Sequence, residues 1–230
     1  MYELYIGNKN YSSWSLRAWV LMTTRGIPFE ERLVRFDGAS NWDRFRSFSP
    51  NGRVPCLRDG ERTVWDSLAI AEYLAERHDG LWPADATARA WARSATAEMH
   101  SGFATLRNHC GMSLGVRVRL RQWPDALRAD VARIEEIWNE GLSRFGGPYL
   151  AGERFTIIDA FYCPVAYRAR TYDLPLGDVA RDYTHRLIAL PAMRQWEAAG
   201  LAEPWRDPPH DEEIASYGEV VADLRAPADA

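Results

Sequence analysis

Up to residue 80, apolar positions come in short runs broken by turn residues. YELYI (2–6) reads as a strand, and residues 13–25 as a helix stopped by Gly26. FEERLVRF (29–36) alternates enough for a second strand. SNWDRFRSF (40–48) reads as a short helical or irregular turn. VPCL and RTVW flank Asp59-Gly60, a strong hairpin signal. Residues 66–80 read as a helix with an acid at its start and His78 and Gly80 near its end. The predicted order is βαβαββα.

The pattern then changes. After Asp85 no strand is expected. Residues 85–110 suit one long helix. Leu127, Val131, Ile134, Trp138, Leu142 and Phe145 recur at steps of four and three, an apolar stripe on one helix face. Further helices are expected at 157–171, 178–189 and 191–201, then a loop with a short or fraying helix from Pro204. LWPADATA (81–88) reads as the linker between an α/β domain (1–80) and an all-helical domain (89–230).

Hydrophobic residues make up 47% of the chain, charged residues 26%, and the net charge is −4. That mixture suits a soluble protein and gives no sign of a nucleic-acid surface. GVRVRLRQW (115–123) is locally basic and reads as a solvated turn or helix face, against a phosphate-binding patch. The N-terminus has no signal-peptide pattern and no run has a membrane span's length, so a cytoplasmic location is expected. Cys56, Cys110 and Cys163 are far apart, with no metal-ligand spacing and no disulfide framework. No metal site is expected.

NKNYSSWSLRAWVL (8–21) crowds serines where a strand gives way to a helix. They are either helix caps or hydroxyls that stabilise an anion at a helix N-terminus. Val54-Pro55 enters a strand, so the proline sits either on an edge or after a cis bond that exposes the Val54 backbone. Asp66-Ser67 begins a helix. It caps, or it takes the carboxylate and ammonium of an α-amino acid head. Thr156-x-x-Asp159 reads as a structural capping box.

Together SSWS, SPNGRVPCL, VWDSLAIAEYLAER and FTIIDAFYCPV make the whole chain resemble a cytosolic glutathione transferase. The resemblance implies a thioredoxin-like domain binding glutathione, an all-helical domain lining the second substrate's pocket, and a homodimer. YSSWSLR is most similar to the serine-type zeta class, with Trp14 in place of that motif's cysteine. Ser12 falls on the class's catalytic serine and Ser13 on the next. Tyr5 and Tyr11 flank the site. Trp14, Arg53, Val54, Asp66 and Ser67 are carried over for glutathione: Val54 for the cysteinyl backbone, Asp66 and Ser67 for the γ-glutamyl head, and Arg53 for the glycine carboxylate. Arg107 and Asn108 align with polar residues of the zeta site.

For the second substrate, Trp14, Arg107, Met112, Tyr167, Arg168, Arg170 and Tyr172 are candidate liners suited to an acidic, partly apolar electrophile. Alternatively Tyr167 and Arg170 lie on a helix face packed between domains. The implied chemistry is addition of the glutathione thiolate to an electrophile. Glutathione-dependent cis–trans isomerisation of maleylacetoacetate-like substrates and a non-catalytic binding module are the alternatives. No His–Asp pair stands at a spacing suited to a serine hydrolase, and hydroxyl plus helix terminus suffice in size without a histidine base or a metal.

Overall fold

A computed structural model describes residues 1–36, 38 and 40–227. The first part is built from β1 (Tyr2–Ile6), α1 (Ser13–Thr24), β2 (Phe29–Leu33), α2 (Trp42–Arg46), β3 (Cys56–Asp59), β4 (Arg62–Val64) and α3 (Ser67–Ala75). The sheet order is β2-β1-β3-β4. β1 runs parallel to β2 and antiparallel to β3, and β3 turns back antiparallel into β4. β2 is an edge strand, and its charges suit that place. Arg32 pairs with Glu3 at 2.7 Å and with Glu30 at 2.9 Å.

The second part carries α4 (Ala86–Ser101), α5 (Ala104–His109), β5 (Val116–Leu120), α6 (Asp125–Phe145), α7 (Ile157–Tyr172), α8 (Asp178–Ala189), α9 (Pro191–Leu201), α10 (Pro208–Tyr217) and β6 (Gly218–Asp223). α4 begins at Ala86, inside the stretch 81–88, capped by Asp85 Oδ1 on the Ala88 N–H at 2.7 Å. The long helix expected over 85–110 breaks at Gly102-Phe103. Phe103 has φ +57°, and the guanidinium of Arg107 turns back onto the carbonyls of Gly102, at 2.9 Å, and of Met99. The end of α4 is thus satisfied by a side chain rather than by another turn.

The expectation of no strand after Asp85 is overturned. VRVRL pairs antiparallel with Gly218–Asp223, Leu120 opposite Gly218 and Val116 opposite Asp223. Val116 and Val118 are buried, while Arg119 points to solvent and Arg117 is half-buried. This is the period of two expected of a strand with one covered face. The chain after Pro204 returns as α10 and then as this strand. The helical part therefore carries a two-stranded ribbon.

Why α1 is buried all round follows from its neighbours: it packs on α7, α3 and α9. Leu16, Ala18, Val20, Leu21 and Met22 are each at most 1% exposed. A helix apolar on every side belongs in the middle of a fold. α6 follows its stripe more conventionally, burying Leu127, Val131, Ile134, Ile137 and Trp138, with Leu142 and Phe145 half-buried. α7 is the second central helix, and Asp159 in its first turn is fully buried. The side chain of Asp159 accepts from Leu150 N at 3.0 Å, Thr156 N at 2.9 Å and the Tyr183 hydroxyl at 2.8 Å.

Candidate functional site

The loop 8–12 that leads into α1 is tied down residue by residue. The side chain of Asn8 accepts from Phe36 N at 2.8 Å, and that of Asn10 from Leu114 N at 3.0 Å. Glu203 accepts from Lys9 N at 2.7 Å and Asn10 N at 3.2 Å. The polar NKN run therefore joins the α/β part to the helical part and sets where the serines stand.

Ser12 is the N-cap of α1. It accepts from Ser15 N at 3.4 Å and donates to the Ser15 hydroxyl at 2.7 Å. Ser15 in turn accepts from Gly7 N at 3.1 Å. Ser13, the first helical residue, accepts from Nη2 of Arg168 at 3.4 Å. Both hydroxyl groups edge a cavity of about 430 Å³. Trp14, Arg53 and Val54 line it from the α/β part, together with Phe36 and Trp42. The bond between Val54 and Pro55 is cis. From the helical part come Arg107, Met112 and Arg168, and from α10 come His210 and Glu213.

The charge around this cavity is lopsided. Arg168 Nε donates to the Cys110 carbonyl at 2.7 Å, but its Nη1 is buried with no hydrogen-bond acceptor among the described residues. Nη1 of Arg107 is in the same condition. Behind them Arg17 is fully buried and none of its three guanidinium nitrogens has an acceptor among the described residues. Its charge lies instead against the rings of Trp14, 4.2 Å away, and Phe161, 4.8 Å away. Arg107 lies over the same indole at 4.8 Å. Burial first, then the neighbouring cations, push the Arg17 guanidinium well below its ordinary value. Arg107 falls to about 10, by burial and then by Arg168. Two buried cations, Arg17 and Arg168, and the half-buried Arg107, none with an ion-pair partner among the described residues, favour an anion in the space between them.

Asp66 and Ser67 stand at the start of α3, outside this cavity's wall. Asp66 Oδ1 accepts from Leu68 N at 2.9 Å, and its Oδ2 lies 3.3 Å from Nε2 of His100. Ser67 Oγ is buried without a hydrogen-bond partner among the described residues. The orphaned hydroxyl at a helix N-terminus fits a carboxylate.

Other expected liners stand elsewhere. Tyr167 is fully buried and donates to the Met193 carbonyl at 2.7 Å. Arg170 pairs with Glu197 at 2.5 Å on a different cavity, between α7, α8 and α9. Their helix face packs against α8 and α9 rather than the serines. Asn108 points to solvent. Tyr172 donates to the Gly111 carbonyl at 2.8 Å. The Tyr5 ring stacks on Phe48, with centroids 4.5 Å apart. The Tyr11 hydroxyl donates to Asp211 at 3.1 Å and accepts from Arg225 at 3.0 Å; burial, then Asp211, lifts it to about 12. Sequence reasoning missed His210, Glu213, Phe36 and Trp42. An Asp-x-x-His spacing behind Trp205 was the one available signal for His210. Among the described residues no cluster of His, Cys, Asp and Glu could hold a metal ion, and no helix is long and apolar enough to cross a membrane.

Comparison with known proteins gives this geometry its context. Residues 11–77 match the glutathione S-transferase N-terminal domain and residues 89–199 the C-terminal domain. A glutathione S-transferase-like protein, OpS6, from Beauveria bassiana is 25% identical over 209 residues, covering 84% of this chain and 90% of its own. The maleylacetoacetate isomerase of Rattus norvegicus is 27% identical over 203 residues, covering 86% and 90%. A glutathione transferase homologue from Burkholderia GL BGR1, solved with bound glutathione, superposes with a TM-score of 0.66 at 24% identity, over 86% of this chain and 97% of that one. An epsilon-class enzyme from the housefly Musca domestica gives 0.66 at 19%, over 94% and 96%. With both domain models matched along most of its length, the chain belongs to the glutathione S-transferase family.

Proposed function

We propose that this protein is a glutathione-dependent transferase that adds the thiolate of glutathione to an electrophile carrying a carboxylate. The single observation behind the reading is the meeting of Ser13, at the N-terminus of α1, with Arg168 on the wall of one cavity. Ser12 spends its hydroxyl proton on Ser15, whereas Ser13 accepts from Arg168 and keeps its own proton to donate.

A free thiol has a pKa near ~8.5, so little of it is ionised at pH 7. Lowering it by ~2 units needs ~2.7 kcal/mol of differential stabilisation. One hydroxyl hydrogen bond to the anion contributes ~1.5–3 kcal/mol. The helix N-terminus contributes ~0.3–1 kcal/mol. Ser13 and α1 together reach the required size, with the Arg168 guanidinium adding to both.

In this scheme the Val54 backbone pairs with the cysteinyl unit and Arg53 meets the glycine carboxylate. Asp66 and Ser67 take the γ-glutamyl head, where the unpartnered Ser67 hydroxyl supports the assignment. The unused Nη1 groups of Arg107 and Arg168 take the electrophile's carboxylate. A homodimer in the cytoplasm is part of the proposal. Cis–trans isomerisation of a dicarboxylate is the second reading, favoured by the same arginine pair. Glutathione recovered unchanged after turnover would decide for it.

The test is calorimetric titration with glutathione, followed by turnover with matched electrophiles with and without a carboxylate. Binding at millimolar glutathione or tighter and a preference for the acidic electrophile are expected. Arg168→Met should remove that preference by about ten-fold in kcat/KM, the size of one charge-assisted contact. No binding at millimolar glutathione would leave a non-catalytic module.

A further inference from the structure

On the wall of the cavity that the serines edge stands a histidine that the proposed chemistry leaves unused. His210 lies in the first turn of α10, and its Nδ1 is hydrogen-bonded to Oδ2 of Asp207. Asp207 is 2% exposed and is held in place by the Gly38 N–H at 3.0 Å. A carboxylate only accepts, so the bond keeps the imidazole proton on Nδ1 and leaves Nε2 basic. Nε2 meets no hydrogen-bond partner among the described residues. The ring is also held by two aromatic neighbours. It stacks on Tyr11 and on Phe36, each with centroids 5.1 Å apart. All three rings line the cavity that Ser12 and Ser13 edge.

Making a thiolate leaves a proton to be placed. Hydroxyl groups and guanidinium ions stabilise the sulfur anion but do not take its proton. On the cavity wall, Tyr11 is lifted to about 12, the arginines already hold their protons, and the Glu213 carboxylate is a weaker base than an imidazole. An imidazole with a free ring nitrogen can take a proton there and give it back.

Resting on the proposed glutathione reaction, the geometry points to His210 as the base that takes the thiol proton, with Asp207 as its positioning residue. The S–H bond breaks and its electron pair stays on sulfur. The proton forms an N–H bond at Nε2, and the imidazolium faces the Asp207 carboxylate. Sulfur then bonds to the electrophilic carbon, and the displaced electron pair moves to a neighbouring atom or a leaving group. The Nε2 proton passes to that atom where it is basic, or to water where chloride is the leaving group, which returns the imidazole to its neutral form.

The experiment uses the full chain, its His210→Asn and Asp207→Asn variants, glutathione, S-methylglutathione and an activated aryl chloride. The charged groups around the ring are Asp207 directly, Asp211 and Arg225 through the Tyr11 hydroxyl, and Glu213 on the cavity wall. In His210→Asn, kcat/KM should fall roughly 10- to 100-fold and its acid limb should move to higher pH, toward the thiol's own ionisation, as for loss of a general base. Its glutathione affinity should stay within about two-fold. Asp207→Asn should move the acid limb to lower pH, because the imidazolium loses its counter-charge. Wild type should show the ultraviolet absorbance of a thiolate on binding glutathione, with no proton released to buffer in calorimetry. In His210→Asn that absorbance should be weak at the same pH, and S-methylglutathione should give none with either.

If His210→Asn keeps the wild-type pH profile and thiolate absorbance while both ligands bind, the His210 assignment is wrong and the proposed function stands. If wild type binds neither ligand, the proposed function falls and takes this assignment with it.

Discussion

Ser13→Ala should lower kcat/KM for thiol addition roughly 10- to 100-fold, the loss of one hydrogen bond to a charged acceptor. Glutathione affinity should change little, because the sulfur contact matters most once the sulfur is ionised. Ser12→Ala should behave differently. Its hydroxyl caps α1 and bonds to Ser15, so the expected loss is ~1 kcal/mol of stability. The contrast comes from where each hydroxyl proton goes: Ser12 donates to Ser15 at 2.7 Å, and Ser13 receives from Arg168 at 3.4 Å. Steady-state kinetics and urea unfolding on both variants separate the two roles. A dead Ser12→Ala beside an unimpaired Ser13→Ala would reverse the assignment.

Asp159→Ala should be the most damaging single change to the fold. The carboxylate is fully buried at the start of α7 and receives Leu150 N, Thr156 N and the Tyr183 hydroxyl. Truncation leaves these donors without an acceptor, at ~1–3 kcal/mol for each left unsatisfied, so a total of about 3 kcal/mol or more is expected. Because α7 carries Arg168 and packs on α1, the loss should also reach the site. A shift of the urea midpoint at constant m would report it. A loss below ~1 kcal/mol would mean that these donors find water instead.

What could be read in advance differed element by element. The α6 stripe, the Asp59-Gly60 hairpin and the Thr156–Asp159 box were legible because each depends on residues within a few positions. β5 was not. VRVRL has a partner a hundred residues away, and a short alternating run beside basic residues resembles a solvated turn until that partner is known. The break at Gly102 was hidden for a similar reason: Arg107 satisfies the end of α4 only once the chain has turned back. Tyr167 and Arg170 have the composition of a substrate pocket, yet their helix face is taken by α8 and α9. His210 was passed over because it lies in the loop and short helix expected from Pro204, and only the fold stacks that ring on Tyr11.

The sequence by itself determined the order of elements up to residue 80, the family and the two serines at the mouth of α1. These follow from hydrophobic period, turn chemistry and motif, which act over neighbouring residues. The tertiary structure alone decided which serine keeps a free proton, that Arg17, Arg107 and Arg168 stand together with no ion pair to a carboxylate among the described residues, and that α10 brings a histidine to the cavity. Those are properties of distance and burial. Charge repulsion, desolvation and hydrogen-bond competition depend on groups scores of residues apart, and packing alone brings them within reach.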